Sequence, residues 1–133
     1  MRNKSGSLFI LMIAFLFSPL IIHAQAEATS KLITAAISSG NQDELVTYFN
    51  TMVDLVLPGT GDLYSKTQAS RILKDFFIKY PVKSYNMTKT GLSNDGSFFS
   101  IGELKAGNKT FRVYYLLKKS TDKYLVHQFH IME

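Results

Sequence analysis

The chain has 133 residues, of which 15 are basic, 10 are acidic and none is cysteine. This length suits one domain built around one hydrophobic core, and the lack of cysteine excludes disulfides, thiolate chemistry and lipid attachment through a cysteine. The net charge is +5; without Arg2 and Lys4 of the amino-terminal segment, 13 basic and 10 acidic residues leave about +3, which is too small and too dispersed to indicate a partner.

Residues 1–24 have the three parts of a secretory signal peptide. Arg2 and Lys4 form a basic end, residues 8–17 are an unbroken apolar run, and small residues follow at Ala24 and Ala26. Because the apolar run is much shorter than the roughly 20 residues that cross a bilayer, we expect cleavage and no membrane span. Cleavage after Ala24 fits best and Ala26 is the alternative, so residues 25–133 are expected to form a single secreted or periplasmic domain.

Two helices are predicted next. The first covers residues 29–39, ends at Gly40, and has an apolar side formed by Leu32, Ile33, Ala36 and Ile37. The second begins at Asn41, whose side chain can cap it, and ends near Asn50. Glu44 can return a hydrogen bond to the Asn41 backbone, so the pair has the spacing of a capping box.

A strand is predicted over residues 53–57, where apolar and other residues alternate, and residues 58–62 have the composition of a turn. The helix that follows is the strongest pattern in the chain. Ser65 and Gln68 form a second capping-box pair, and Pro81 ends the helix. The apolar face has the i, i+3, i+4 spacing and consists of Ala69, Ile72, Leu73, Phe76, Phe77 and Tyr80.

From Val82 to the end, four strands are separated by turns at residues 91–96, 106–109 and 120–123. Short connections make neighbouring strands antiparallel, and helices followed by strands indicate an α+β fold. The period of two predicts that Phe111, Val113, Tyr115 and Leu117, and on the last strand Leu125, His127, Phe129 and Ile131, face the helices. The opposite face then carries Arg112, Tyr114, Leu116 and Lys118, and on the last strand Tyr124, Val126, Gln128 and His130.

Over Ala28 to Met132, this order of elements resembles nuclear transport factor 2-like domains of the cystatin-like superfamily. The amino-acid sequences of several segments also resemble those of a family of small exported bacterial proteins known as a domain of unknown function (number 4783). These segments are Tyr48-Phe49-Asn50, Val53 to Pro58, Tyr64-Ser65-Lys66, Ile72 to Phe77, Pro81 to Ser84 and Phe111 to Tyr114. The resemblance implies a cone of helices packed on a curved antiparallel sheet in the bacterial cell envelope. It implies no activity, because this superfold hosts enzymes, binding modules and dimerisation modules.

The resemblance also directs attention to the interior of the cone. Ketosteroid isomerases of this superfold carry carboxylates and a tyrosine in that pocket, whereas here residues 55–57 are apolar and Asp54 has the parity of a solvated outer residue. Small residues at Ser100 and Gly102 suggest room inside. The candidate ligand-binding residues are Tyr48, Tyr64, Tyr80, Tyr115, His127 and Phe129.

The outer face of the sheet is the second candidate surface. Apolar and aromatic residues exposed there would favour a partner, and the resemblance suggests a homodimer through the sheet. The candidate interface residues are Arg112, Tyr114, Leu116, Tyr124, Val126 and Gln128.

Other chemistries find no support in the sequence. His127 and His130 have opposite parity on one strand and cannot share a metal, so no metal site is predicted. The chain has no glycine-rich phosphate loop, and no cofactor is predicted. Lysines of the strand half are interpreted as solvated, edge-protecting residues and not as a nucleic-acid surface.

Three hypotheses follow. The first is an exported, non-catalytic domain that binds a small or peptidic ligand in its cone or a protein partner on its sheet. The second is a small isomerase, dehydratase or hydrolase with His127 as proton carrier and Tyr115 as hydrogen-bond donor; we favour no catalysis, because no acidic partner for His127 is readable from spacing. The third is a pure dimerisation or assembly module whose cone is filled by its own side chains.

Overall fold

The structure is a computed structural model that describes residues 23–133. The basic end and the apolar run of the predicted signal peptide lie outside the described residues. Among the helices of residues 23–133, none has both the length and the apolar character that a membrane span requires.

The described chain folds into helices followed by strands, which confirms the α+β prediction. Helix α1 occupies residues 23–38, α2 Gln42–Leu45 with a 3-10 turn at Val46–Tyr48, and α3 Lys66–Lys79. The strands are β1 (Phe49–Leu57), β2 (Thr60–Ser65), β3 (Val82–Leu92), β4 (Phe98–Ala106), β5 (Lys109–Ser120) and β6 (Lys123–Met132).

The strands form one open sheet in the order β2-β1-β6-β5-β4-β3. Neighbours are antiparallel except β1 and β6, which run parallel. The predicted turn over 58–62 is confined to Pro58 and Gly59, where Gly59 has a φ of 87°, and the chain then pairs back on β1 as β2. The second predicted helix was too long: β1 already begins at Phe49.

Helix α3 forms as its pattern predicts. The Ser65 hydroxyl accepts from the Gln68 backbone N–H at 3.3 Å, and the Gln68 side chain accepts from the Ser65 N–H at 3.1 Å. At the other end, the Tyr80 N–H donates to the Phe76 carbonyl at 2.8 Å before Pro81 stops the helix. The buried part of the predicted face is Ala69, Leu73, Phe76 and Phe77, with Ile72 and Tyr80 partly buried.

Only half of the predicted capping box at Asn41 exists. The Asn41 side chain accepts from the Glu44 N–H at 3.2 Å, but the Asn41 N–H donates to the Ala36 carbonyl at 3.0 Å and is no longer free for Glu44. Gly40, with a φ of 63°, provides the left-handed turn that makes this contact.

Helix α1 is rotated slightly from its predicted orientation. Leu32 is 51% exposed, whereas Ala26, Ser30, Ile33 and Ile37 are buried. These four follow the spacing of one helical stripe, and the stripe begins before Thr29. Because the predicted helix began at Thr29, its buried side was centred too close to Leu32.

The two faces of β5 are as predicted, but those of β6 are not. Leu116 pairs with Gln128 and Leu117 pairs with Val126, so His127 is an extra residue in the strand. Such a bulge reverses the parity of every residue on its far side. Tyr124 and Val126, predicted to be outside, are therefore buried in the core, and Leu125, predicted to be inside, lies opposite the outward Lys118.

Candidate functional site

The structure does not bring the six predicted pocket residues together. Tyr115 and Phe129 are adjacent and fully buried, with ring centroids 6.2 Å apart. Tyr80 lies at the carboxyl end of α3, where its ring is 5.1 Å from that of Phe76 and 5.2 Å from that of Phe111. Tyr115 and Phe129 therefore belong to the packed core, and Tyr80 lies at its edge.

The remaining three lie elsewhere. The Tyr64 hydroxyl is 3.1 Å from Thr60 on the exposed β1–β2 hairpin. Tyr48 lines an open groove of about 510 Å³ between α1 and the β5–β6 turn. His127 is the half-buried residue of the β6 bulge. Burial is the larger cause that lowers its pKa, and the positive charge of the nearby Lys118 lowers it further. His127 and Tyr115 therefore do not share a pocket wall.

The room predicted beside Ser100 and Gly102 is filled by Tyr85, a residue of the inner face of β3. A Cβ atom at Gly102 would lie 2.6 Å from Cε2 of the Tyr85 ring, closer than side chains pack. Glycine is required at position 102 because the ring rests directly on the β4 backbone.

Tyr85 belongs to a group of four buried side chains, Ser30, Tyr85, Ser100 and Tyr115, which we call the hydroxyl cluster. The hydroxyls of Ser30 and Tyr115 are 2.6 Å apart, and the Tyr115 hydroxyl also lies 3.3 Å from the Ser30 carbonyl. Ser100 is directly opposite Tyr115 in the register of β4 and β5. The cluster therefore joins α1 to three strands of the sheet.

Two members of the cluster have no hydrogen-bond partner within the described protein. They are the hydroxyls of Tyr85 and Ser100, on residues that are 7% and 0% exposed. Burial, and then the nearby Tyr115, raise the pKa of Tyr85 well above its ordinary value, while hydrogen bonding by the Ser100 hydroxyl lowers it. Ser100 is therefore close to Tyr85, although no hydrogen bond of good geometry joins the two hydroxyls. The Tyr85 phenol therefore stays protonated and remains a hydrogen-bond donor.

A cleft of about 220 Å³ opens beside the hydroxyl cluster. Its wall is formed by Glu27, Ser30 and Lys31 of α1, Met87 and Thr90 of β3, and Phe98 of β4. The Met87 sulfur lies 3.8 Å from the Ser30 hydroxyl. We call this the α1–β3 cleft; Ser30 is the member of the hydroxyl cluster that lines it, whereas Tyr85 and Ser100 are not part of its wall.

Sequence reasoning missed most of these residues. Tyr85 and Met87 are two residues apart on β3 and face the same side. Thr90 has the opposite parity, yet it also faces inward because the β3–β4 register shifts between Met87 and Lys89. Ser30 was placed at the start of a helix, where its burial was not apparent. The readable signal was the stripe of Ala26, Ser30, Ile33 and Ile37.

The outer face carries four of the six predicted interface residues, Arg112, Tyr114, Leu116 and Gln128. Leu116, predicted to be exposed there, is only 9% exposed. Asp54 faces outward as predicted, but it pairs with His130, with 3.0 Å between Oδ2 and Nε2. The His130 and Tyr114 rings are 5.7 Å apart. Within residues 23–133, no group of three His, Asp or Glu side chains is close enough to hold a metal ion.

Comparisons with known proteins give one consistent result. The profile of the family described as "Domain of unknown function (DUF4783)" matches residues 30–132. A crystal structure of a DUF4783 family protein from Bacteroides uniformis is 32% identical, with a TM-score of 0.72 over 77% of this chain and 94% of that one. Another, from Bacteroides ovatus, is 35% identical, with a TM-score of 0.70 over 75% and 90%.

A more distant similarity concerns the fold alone. A protein of the NTF2-like family from Streptomyces avermitilis is 12% identical, with a TM-score of 0.65 over 86% of this chain and 97% of that one. Together these similarities confirm the predicted nuclear transport factor 2-like architecture. No curated protein matches the chain significantly.

The position of His127 predicts a specific acid sensitivity. Its folded-state pKa is lowered relative to about 6.5 in the unfolded chain, so the folded protein binds fewer protons. Its contribution to stability is therefore present above about pH 6.5 and is lost as the pH falls through the folded-state pKa. In urea unfolding between pH 7.5 and pH 5, His127→Gln should lose less stability than the unmodified protein. An equal loss in both proteins would contradict this placement of the ring.

Proposed function

The chain belongs to the DUF4783 family of domains of unknown function, and we propose that it is an exported, non-catalytic domain that binds a small ligand in the α1–β3 cleft. The observation that carries the proposal is the hydroxyl cluster, in which Ser30 lines the open cleft while the hydroxyls of Tyr85 and Ser100 are buried without a well-formed hydrogen bond. A buried polar group without a partner costs about 1–3 kcal/mol of stability. A ligand that hydrogen-bonds these hydroxyls would recover that cost. Apolar walls with a few convergent polar groups are also the usual composition of a ligand site.

The chemistry of the hydroxyl cluster favours binding over catalysis. Ser30, Tyr85, Ser100 and Tyr115 supply hydroxyl groups alone, and the raised pKa of Tyr85 keeps that phenol from acting as a base near neutral pH. Glu27, the one carboxylate of the cleft wall, is exposed at the rim. His127, the proton carrier of the enzymatic hypothesis, is separated from Tyr115 by the bulge.

Export is part of the proposal, and the buried stripe of α1 favours one cleavage site. Ala26 is fully buried and one helical turn before Ser30. Cleavage after Ala24 keeps this residue in the core, whereas cleavage after Ala26 removes it. The mature chain of the proposed secreted or periplasmic protein therefore begins at Gln25.

A second copy of the chain on the outer sheet face is the second candidate function, and one observation favours it. Glu103 and Arg112 are directly opposite each other on β4 and β5, yet the ion pairs of the described residues do not join them. Across a two-fold axis, Arg112 of one copy would meet Glu103 of the other, and the reverse, on either side of the half-buried Tyr114.

The ligand proposal predicts that two matched substitutions change stability in opposite directions. Tyr85→Phe removes a buried hydroxyl that has no partner, so the free energy of unfolding should stay unchanged or rise by about 1 kcal/mol. Tyr115→Phe removes a hydroxyl bonded to Ser30 and should lower it by about 1 kcal/mol. Urea denaturation measures both. In a screen of small fragments by NMR, saturable shifts of the Met87 methyl should weaken in Tyr85→Phe; a loss of stability in Tyr85→Phe together with unchanged binding would contradict the proposal.

The export proposal predicts the amino terminus of the mature protein. Intact-mass measurement of the protein recovered from the periplasm or medium of the expressing bacterium should correspond to a chain that begins at Gln25. A chain beginning at Glu27 would show that the Ala26 side chain is dispensable to the core, a recovered chain that retains Met1 would contradict cleavage, and protein found in the cytoplasm alone would contradict export.

The dimer proposal predicts a charge-swap rescue. Like charges placed together across an interface cost several kcal/mol, so Arg112→Glu or Glu103→Arg should raise the dissociation constant by on the order of tenfold or more. The double variant restores the pairing and should return the dissociation constant toward its starting value. Lys74→Glu, an exposed change on α3, is the control. Sedimentation equilibrium measures all four, and a chain that is monomeric at every concentration would contradict the proposal.

A further inference from the structure

We infer that Met87 is a movable gate between the α1–β3 cleft and the hydroxyl cluster, and that the guest it admits is an uncharged, oxygen-bearing molecule about the size of a single ring. The inference rests on the proposed function and names the ligand class and the access route of that same site.

Met87 stands between the two parts of the site. It pairs with Gly102 in the β3–β4 register, so it shares the inner face with Tyr85, and it also lines the cleft. Its side chain is 43% exposed, while the hydroxyls of Tyr85 and Ser100 are inaccessible. A guest in the cleft reaches these hydroxyls when the Met87 side chain moves.

The hydroxyl protons allow Met87 to be released at little cost. Ser30 and Tyr115 have two hydroxyl protons between them and four acceptors: the two hydroxyl oxygens, the Ser30 carbonyl and the Met87 sulfur. In one arrangement, Tyr115 donates to the Ser30 hydroxyl, and Ser30 donates to the sulfur. In the other, Tyr115 donates to the Ser30 carbonyl, Ser30 donates to Tyr115, and the sulfur is free. The exchange sacrifices only a thioether contact, and a thioether is a weak acceptor.

The surroundings of Met87 also permit movement. The side chain is unbranched and has three rotatable bonds. β3 is the last strand of the sheet, so no neighbouring strand beyond it restricts the outward swing. The register shift between Met87 and Lys89 frees the strand locally from its regular pleat.

The groups behind the gate determine the class of guest. All are neutral hydroxyls, so a carboxylate or ammonium group entering there would lose its hydration without meeting an opposite charge. Hydroxyls both donate and accept, and Tyr85 remains a donor, which suits a carbonyl or hydroxyl oxygen on the guest. Met87 and Phe98 provide apolar walls, and about 220 Å³ accommodates one ring.

A matched series of six-membered rings tests the ligand class. The probes are cyclohexanone, cyclohexanol, methylcyclohexane, cyclohexanecarboxylate and cyclohexylammonium, titrated into protein labelled at the methionine methyl groups. We expect the Met87 methyl to shift saturably with the first two, at least tenfold more weakly with the other three, and the Met52 and Met132 methyls to stay unchanged. Equal or tighter binding of a charged probe overturns the ligand class and leaves the binding site of the proposed function intact; no response to any probe overturns both.

Two substitutions of Met87 test the gate, with the backbone amides of Ser100 and Gly102 as reporters. Met87→Ala removes most of the gate and should raise the association rate of cyclohexanone several-fold. Met87→Ile replaces a flexible side chain by a stiff, branched one and should lower that rate several-fold, with the folded spectrum preserved. Association rates equal to that of the unmodified protein in both variants would show that Met87 is a fixed wall, and would leave the ligand class to the probe series.

Discussion

The hydroxyls of Ser30 and Tyr115 lie 2.6 Å apart in the interior, although 85 residues separate them in the chain. This contact determines where α1 rests on the sheet, because Ser30 is in the middle of the buried stripe of that helix. In a small domain without disulfides, a buried hydrogen bond between distant elements helps to select one packing among several apolar ones. Ser30 also lines the α1–β3 cleft, so this contact fixes one residue of the cleft wall.

The rest of the interior follows a different rule, in which aromatic rings fill the space between helix and sheet. Phe49 and Phe129 are 5.5 Å apart, and Tyr115 stacks on Phe129. Tyr115 belongs to both groups, because its ring stacks on Phe129 and its hydroxyl is 2.6 Å from that of Ser30. A domain can tolerate two unpartnered hydroxyls when the apolar remainder supplies a stability surplus of several kcal/mol.

Local rules predicted the elements that depend on local information. The capping pair at Ser65 and the apolar face of α3 lie within one helix, and the alternation of β5 lies within one strand. The bulge at His127 could not be predicted, because a bulge is defined by how a strand pairs with its partner, here β5, and the sequence of β6 alone does not show that pairing. For the same reason, the hydroxyl cluster was not visible, because its members come from four elements, α1, β3, β4 and β5. Tyr115 was identified as an inward residue, but its true neighbours, Ser30 and Tyr85, were not.

Both proposed surfaces depend on the observed pairing of β3 with β4 and of β4 with β5. The pleat that turns Ser100 and Tyr115 inward turns Ile101 and Tyr114 outward, so a slip of one residue would exchange the cleft with the dimer face. Two glycines oppose such a slip from opposite sides. The Tyr85 ring covers Gly102 on the inner face, and the Phe99 ring covers Gly91 on the outer face, where a Cβ atom would lie 2.7 Å from Cε1 of the ring. After a one-residue slip, each ring would meet a side chain where it now meets backbone. The two glycines that leave room for the rings of Tyr85 and Phe99 therefore also keep the inner and outer faces of the sheet from exchanging.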